Sequence, residues 1–123
     1  LWNNLPEQDA FLESMAASAQ SVADYFGDNI LYINVMNNLS IDCDCDSNPH
    51  DPEMKDIGIL ASTDPVALDQ ACLDLVYAVK PTEGNDNRPL VNRIESLHGR
   101  HTVDYAETIG LGSKNYELVV LDT

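Results

Sequence analysis

An α/β fold, a layered mixed sheet with flanking helices, is what this sequence predicts, and three observations predict it. Runs rich in β-favouring apolar residues, at 30–36, 57–61 and 116–121, alternate with segments whose apolar residues recur at helical spacing. Gly27, Pro65, Pro81, Gly99 and Gly110 punctuate the boundaries between them. At 123 residues, 44% of them apolar and without an internal repeat, the chain has the size and make-up of one globular domain, 1–123.

Taken in order, Asn4-Leu5-Pro6 reads as a lead-in to a helix running from about Glu7 or Asp9 to Phe26. Its expected inward stripe is Phe11, Met15, Ala19, Val22 and Phe26, and Gly27 is its C-terminal cap. The strand at 30–36 is nearly continuous in apolar residues, which predicts cover on both faces. Residues 47–52, with Pro49 and Pro52, read as a loop, and 57–61 as a second buried strand. Thr63 or Asp64 then caps a helix with Pro65 in its first turn, an inward stripe of Leu68, Cys72, Leu75 and Val79, and a stop at Pro81.

A polar loop at 82–87 leads to a short helix at about 89–97, with Leu90, Ile94 and Leu97 inward and Arg88 and Arg93 placed to meet carboxylates. Thr102 is expected to cap a helix over 103–109 that Gly110 stops, and 116–121 is the last predicted strand. Three strands are few for four helices. The chain therefore reads as an incomplete fragment of a larger domain, also because it opens at Leu1 with neither a methionine nor a signal-type apolar stretch. An upstream segment of the same protein or a second subunit, as in a homo-oligomer, is the expected cover for its open edge or face.

Six Lys and Arg against 21 Asp and Glu give a formal charge of −15, which repels phosphate backbones and anionic lipid surfaces and argues against nucleic-acid and membrane partners. No apolar run approaches the roughly 20 residues of a membrane helix. Three cysteines, two of them one residue apart, do not make a secreted disulfide framework, so the reducing cytoplasm is the expected compartment.

The densest chemistry is Asp42-Cys43-Asp44-Cys45-Asp46. Thiolates are soft ligands suited to zinc or iron, and the surrounding carboxylates disfavour a nucleophilic cysteine by raising thiol pKa values unless a cation intervenes. In a flat strand Cys43 and Cys45 would point to opposite faces, so joint ligation requires a turn or bulge at Asp44. His50, on the same loop, is the expected third ligand. A calcium-type spacing of Asp42, Asp44, Asp46 and Glu53 is weakened by Ser47 where glycine is wanted and by the two prolines. The competing reading of the whole segment is an exposed, solvated acidic loop.

The other candidates have plainer readings beside the functional ones. His98 and His101 bracket a helix break, where an imidazole can satisfy terminal carbonyls. Cys72 falls on an apolar stripe and reads as core. Asp64 reads first as a cap, and Asp69 as a solvated carboxylate within reach of Arg88, Arg93 or an ion. The chain lacks a strand-linked glycine-rich phosphate loop, a nucleophile elbow and a ferredoxin-type cysteine run.

Asn34-Val35-Met36-Asn37, Cys43-Asp44-Cys45, 56–62 and 64–70, continuing through Glu95-Ser96, His101-Thr102 and 110–113, resemble the family catalogued as domain of unknown function 362, members of which are described as uncharacterised iron–sulfur-centre proteins. The resemblance implies an α/β domain forming the C-terminal portion of a longer protein, with four-iron clusters carried elsewhere in many members. It matches Cys43 and Cys45 to the family's cysteine segment, Asp64 and Asp69 to its aspartate-proline motif and His101 to its late histidine. Asp46 stands where some relatives have a further cysteine.

Two functions follow as expectations. The first is a metal-binding or redox-associated domain with Cys43, Asp44, Cys45, His50, His101, Asp64 and Asp69 as candidate ligands, zinc or iron at the cysteines, an iron–sulfur cluster in the full-length protein and a redox partner. The second is a non-catalytic scaffold or subunit-association domain. The sequence names no reaction.

Overall fold

The computed structural model of the protein describes residues 5–43 and 45–121. The expected lead-in at Asn4 and the candidate ligand Asp44 lie outside them. The elements are α1 (Leu5–Phe26), β1 (Tyr32–Met36), β2 (Gly58–Ser62), α2 (Pro65–Ala78), α3 (Arg88–Ser96) and α4 (Arg100–Thr108). The α/β class holds. β1 and β2 pair antiparallel, with Tyr32 opposite Ser62 and Met36 opposite Gly58, and residues 37–57 form the long connection between them.

The layers stack in the order sheet, α2, α4, α1, with α2 touching both strands and α4, and α1 lying on α4. Ala16, Val66, Val103 and Ala106 close the core between the helices, and Met36, Met54 and Val76 close it between β1, the long connection and α2. Because α2 lies in the middle it buries Val66, Ala67, Leu68, Ala71 and Val76, a wider face than the stripe its spacing predicts.

Four expectations are corrected by this stacking. The stripe of α1 does not face inward: Leu12 and Ala16 are buried, while Phe11, Met15, Ala19, Val22 and Phe26 are exposed. The helix carries two apolar faces, and among the described residues α4, with Val66 at the start of α2, covers one of them. Nor is β1 covered on both sides: Tyr32, Asn34 and Met36 turn toward α2, while Ile33, Val35 and their β2 neighbour Ile59 are 57%, 56% and 71% exposed. The segment 116–121 forms no strand; β-favouring side chains need a ladder, and the described strands pair only with each other. Finally, Thr102 does not cap α4, which begins earlier, at Arg100 after Gly99.

Polar contacts set the direction of the outer helices. Gln8 donates to the carbonyl of Leu97 at 3.3 Å and Gln20 to that of Ile109 at 2.7 Å. His98 meets Asp9, and His101 meets Glu13, both at 2.9 Å. Partner numbers rise together along both segments, so α1 runs parallel to α4. The two glutamines satisfy the C-terminal carbonyls that α3 and α4 leave open.

Candidate functional site

Cys43 and Cys45 lie on the 37–57 connection, which is fastened at both ends. Asn38 adopts a positive φ of 49°, and its N–H donates to Asp56 Oδ1 at 2.9 Å. Further along, Lys55 N–H donates to Asn85 Oδ1 and Asp86 N–H to the Glu53 carbonyl, at 2.9 and 2.8 Å. Met54 anchors the loop in the core.

Between these anchors the backbone turns sharply, because Asp46 N–H donates to the Cys43 carbonyl at 2.9 Å. A turn at this place is what joint use of the two thiols requires. Cys45 N–H points at Cys43 Sγ, 3.3 Å away, and both cysteines are exposed. Asp46 accepts from Asn48 N–H at 3.0 Å, which shapes the descending arm.

Asp42 sits at the base of this turn. One carboxylate oxygen takes Arg93 Nη1 from α3 at 2.5 Å, and the other meets His50 Nδ1 at 3.1 Å. These two hydrogen bonds, that of His50 foremost, hold the Asp42 carboxyl below the usual aspartate range. The pairing leaves His50 Nε2 as the ring nitrogen turned away from Asp42 on a 77% exposed side chain. A carboxylate behind one imidazole nitrogen is the arrangement that orients the other toward a cation.

The remaining candidates lie elsewhere. Asp64 Oδ1 accepts the N–H groups of Val66 and Ala67 at 2.9 and 3.1 Å, capping α2 as expected, and Oδ2 accepts Ser113 N–H at 2.9 Å. Asp69 accepts from Asn34 Nδ2 at 2.9 Å, and neither Arg88 nor Arg93 reaches it: they pair with Asp86 and Asp42. His101 belongs to the α1–α4 seam. Asn34 Nδ2 also lies 3.4 Å from Cys72 Sγ, and burial pushes the Cys72 thiol pKa up. Thus Cys43, Cys45 and His50 share a loop, whereas Asp64, Asp69 and His101 are placed on three other parts of the fold. Among the described residues no three His, Cys, Asp or Glu side chains gather as a ready-made metal shell. Asp42, first in the calcium-type spacing, is already engaged by Arg93 and His50.

Residues 2–74, more than half of the chain, match the family described as Domain of unknown function (DUF362). The chain belongs to that family. The DUF362 match takes in α1, both strands, the cysteine loop and most of α2, and stops short of α3 and α4. No curated protein and no solved structure matches the chain. No helix among the described residues of this DUF362 chain is long and apolar enough to cross a membrane.

Two features of the site were not read from the sequence. Arg93 was expected to meet a carboxylate, but its partner Asp42 is 51 residues away. The Asp42–His50 pair had a local signal, an acid and an imidazole eight residues apart on a proline-bearing loop.

Proposed function

We propose that the 42–50 loop binds a soft or borderline metal ion, zinc or iron, through the Cys43 and Cys45 thiolates and His50 Nε2, within a redox-associated protein of the cytoplasm. The observation that carries this reading is the chain Arg93–Asp42–His50, which fixes an imidazole on the same short loop as two thiols held on one turn. A bound metal would add positive charge beside that of Arg93, at bond lengths of roughly 2.0–2.3 Å to nitrogen and sulfur. The donor set fits a single ion better than a four-iron cluster held by this chain alone. Such a cluster takes four thiolates, and Cys72, the third cysteine, packs against the core beside Met36 and Val76. Any cluster using Cys43 and Cys45 draws its other thiolates from outside this chain.

Metal analysis of anaerobically purified protein tests the reading. Bound metal is expected in the parent and its loss in Cys43→Ser and in Cys45→Ser, while Asp42→Asn weakens binding about 10–100-fold through the imidazole. Unchanged metal content in both cysteine variants ends it.

A second reading, a subunit-association domain, is favoured by a separate observation: Ile33, Val35 and Ile59 form an exposed apolar sheet face. Sedimentation at rising concentration tests it. Self-association that Val35→Lys abolishes supports it, and a monomer at all concentrations removes the homo-oligomer.

A further inference from the structure

Of the three cysteines, two are placed to react with each other. The Asp46 N–H bond to the Cys43 carbonyl makes Cys43 and Cys45 the first and third residues of one tight turn. A disulfide spans Cα atoms roughly 4.4–6.8 Å apart, and a turn whose first and fourth Cα atoms lie within about 7 Å of each other holds the third inside that span. Cys43 Sγ lies 3.3 Å from the Cys45 backbone nitrogen, so one sulfur already stands over the residue that carries the other. Closure then calls on side-chain rotation more than on backbone movement.

The surroundings favour this pair over any other. Both thiols are exposed, whereas Cys72 packs against Met36, Met54 and Val76, and burial pushes its thiol pKa up. The turn is also held from outside, by Arg93 and His50 on Asp42 and by the Asn38–Asp56 and Lys55–Asn85 bonds at the ends of the connection. Two groups kept near each other by a fold react as if highly concentrated. Charge sets what can approach them: Asp42, Asp44, Asp46, Asp51, Glu53 and Asp56 share the connection with Lys55 as its one basic residue besides His50, in a chain of formal charge −15. Such a loop repels anions and draws cations at low salt.

We propose that Cys43 and Cys45 are a dithiol that exchanges with small cationic disulfides and closes into an intramolecular disulfide. One thiolate attacks a sulfur of the small disulfide, forming a mixed disulfide and releasing one small thiol. The second thiolate attacks the protein sulfur of that mixed disulfide, forming the Cys43–Cys45 bond and releasing the other small thiol. The cysteine pair is oxidised by two electrons and the small disulfide reduced, with the two thiol protons leaving on the two small thiols. A closed pair offers no thiolate to a metal, so the loop becomes a redox-gated site; that consequence rests on the metal reading above, and the exchange itself does not.

The test uses the full chain, reduced, treated with a chelator and handled anaerobically, with cystamine as the cationic disulfide, 2-hydroxyethyl disulfide as the neutral one and oxidised glutathione as the anionic one. Intact mass with maleimide trapping is expected to show a product that retains no cystamine, blocks two thiols and reverts with dithiothreitol. Cys72→Ser should close as the parent does, while Cys43→Ser and Cys45→Ser should stop at the mixed disulfide. The folded chain should prefer closure over the mixed disulfide at least about tenfold more than a peptide of residues 40–48 does, because the turn is already formed. Cystamine should react at least about tenfold faster than glutathione disulfide at low salt, with the neutral disulfide between them and the differences narrowing as salt rises.

A mixed disulfide that persists on the parent, a bond to Cys72, a disulfide between two copies, or closure no better than in the peptide overturns the assignment. Equal rates for the three disulfides overturn the cationic substrate class. Zinc added before the oxidant is expected to slow closure. Closure in the zinc-free chain that zinc leaves unchanged supports the exchange and counts against the metal, whereas zinc binding without closure in the zinc-free chain overturns the exchange and leaves the metal reading standing.

Discussion

Asp64 and Gly112 lie so close that a Cβ at residue 112 would stand 2.0 Å from Oδ1 of Asp64. The carboxylate fills the space a side chain would take, and there it serves two masters: the free N–H groups opening α2 and the Ser113 N–H beyond α4. One acid thus joins the start of the central helix to the turn that follows the last one. Gly112→Ala is expected to lower unfolding stability by about 1–3 kcal/mol through overpacking. Asp64→Ala should cost about 0.5–2 kcal/mol from the lost cap alone. Urea unfolding of both single variants and of the double variant checks the pair: the double should cost clearly less than the sum, since removing Asp64 relieves the clash at residue 112.

Asn87 makes a buried hydrogen bond from Nδ2 to the Val76 carbonyl at 2.8 Å. That carbonyl, in the last turn of α2, also accepts the Val79 N–H at a longer 3.4 Å, so Asn87 supplies its second and shorter hydrogen bond. Asn87→Leu should therefore destabilise by about 1 kcal/mol, the net worth of one hydrogen bond, since the Val79 N–H stays on the carbonyl. A fall in the urea midpoint with an unchanged slope would identify the effect as one of stability and not of a looser unfolded chain.

The two glutamines of α1 should behave differently when replaced. Gln20 donates at 2.7 Å, and Gln20→Ala is expected to cost about 1 kcal/mol. Gln8 is fully buried, with a longer bond of 3.3 Å from Nε2 and no partner for Oε1 among the described residues. Gln8→Met keeps most of the volume and removes that orphaned oxygen, so its cost should stay within about 1 kcal/mol of zero. Thermal unfolding of the two variants side by side measures the contrast.

Acid should release the cysteine loop from α3. The folded Asp42 carboxyl lies below the usual aspartate range, through His50 first and Arg93 next. A depressed folded value contributes stability that is complete above the ordinary aspartate pKa and is lost as pH falls through the depressed one. Carboxyl-carbon NMR titration should show the Asp42 midpoint rising in Arg93→Gln and in His50→Ala. By the same logic Asp86, held at about 2 mainly by the Arg88 side chain, should move up toward the ordinary range in Arg88→Gln. An Asp42 midpoint that stays put in both variants would mean that neither partner holds it in solution.

A third group titrates at the opposite end of the scale. Burial, with the Glu95 carboxylate hydrogen-bonded to its hydroxyl, pushes the Tyr77 phenol up to about 12. Glu95→Gln removes the repulsion between phenolate and carboxylate, and an ultraviolet titration should then find the Tyr77 ionisation at lower pH. Its position should remain above that of a free tyrosine, because burial is the larger cause.

What the sequence by itself determined was local. Helical spacing, the Asp64-Pro65 start, Gly27 and Gly110 stops and two β-rich runs located four helices and two strands, because caps, positive-φ glycines and apolar periodicity act within a few residues. The cap of α2 was legible for the same reason, whereas a turn at the cysteines was only the condition that joint use of the two thiols set. Only the tertiary structure decided which apolar face of α1 is covered, that residues 116–121 join no ladder among the described residues, and that Arg93 closes on Asp42, since each depends on which layer lies next to which. A contact between residues far apart in the chain leaves no period in the sequence, because its partner is fixed by packing and not by spacing.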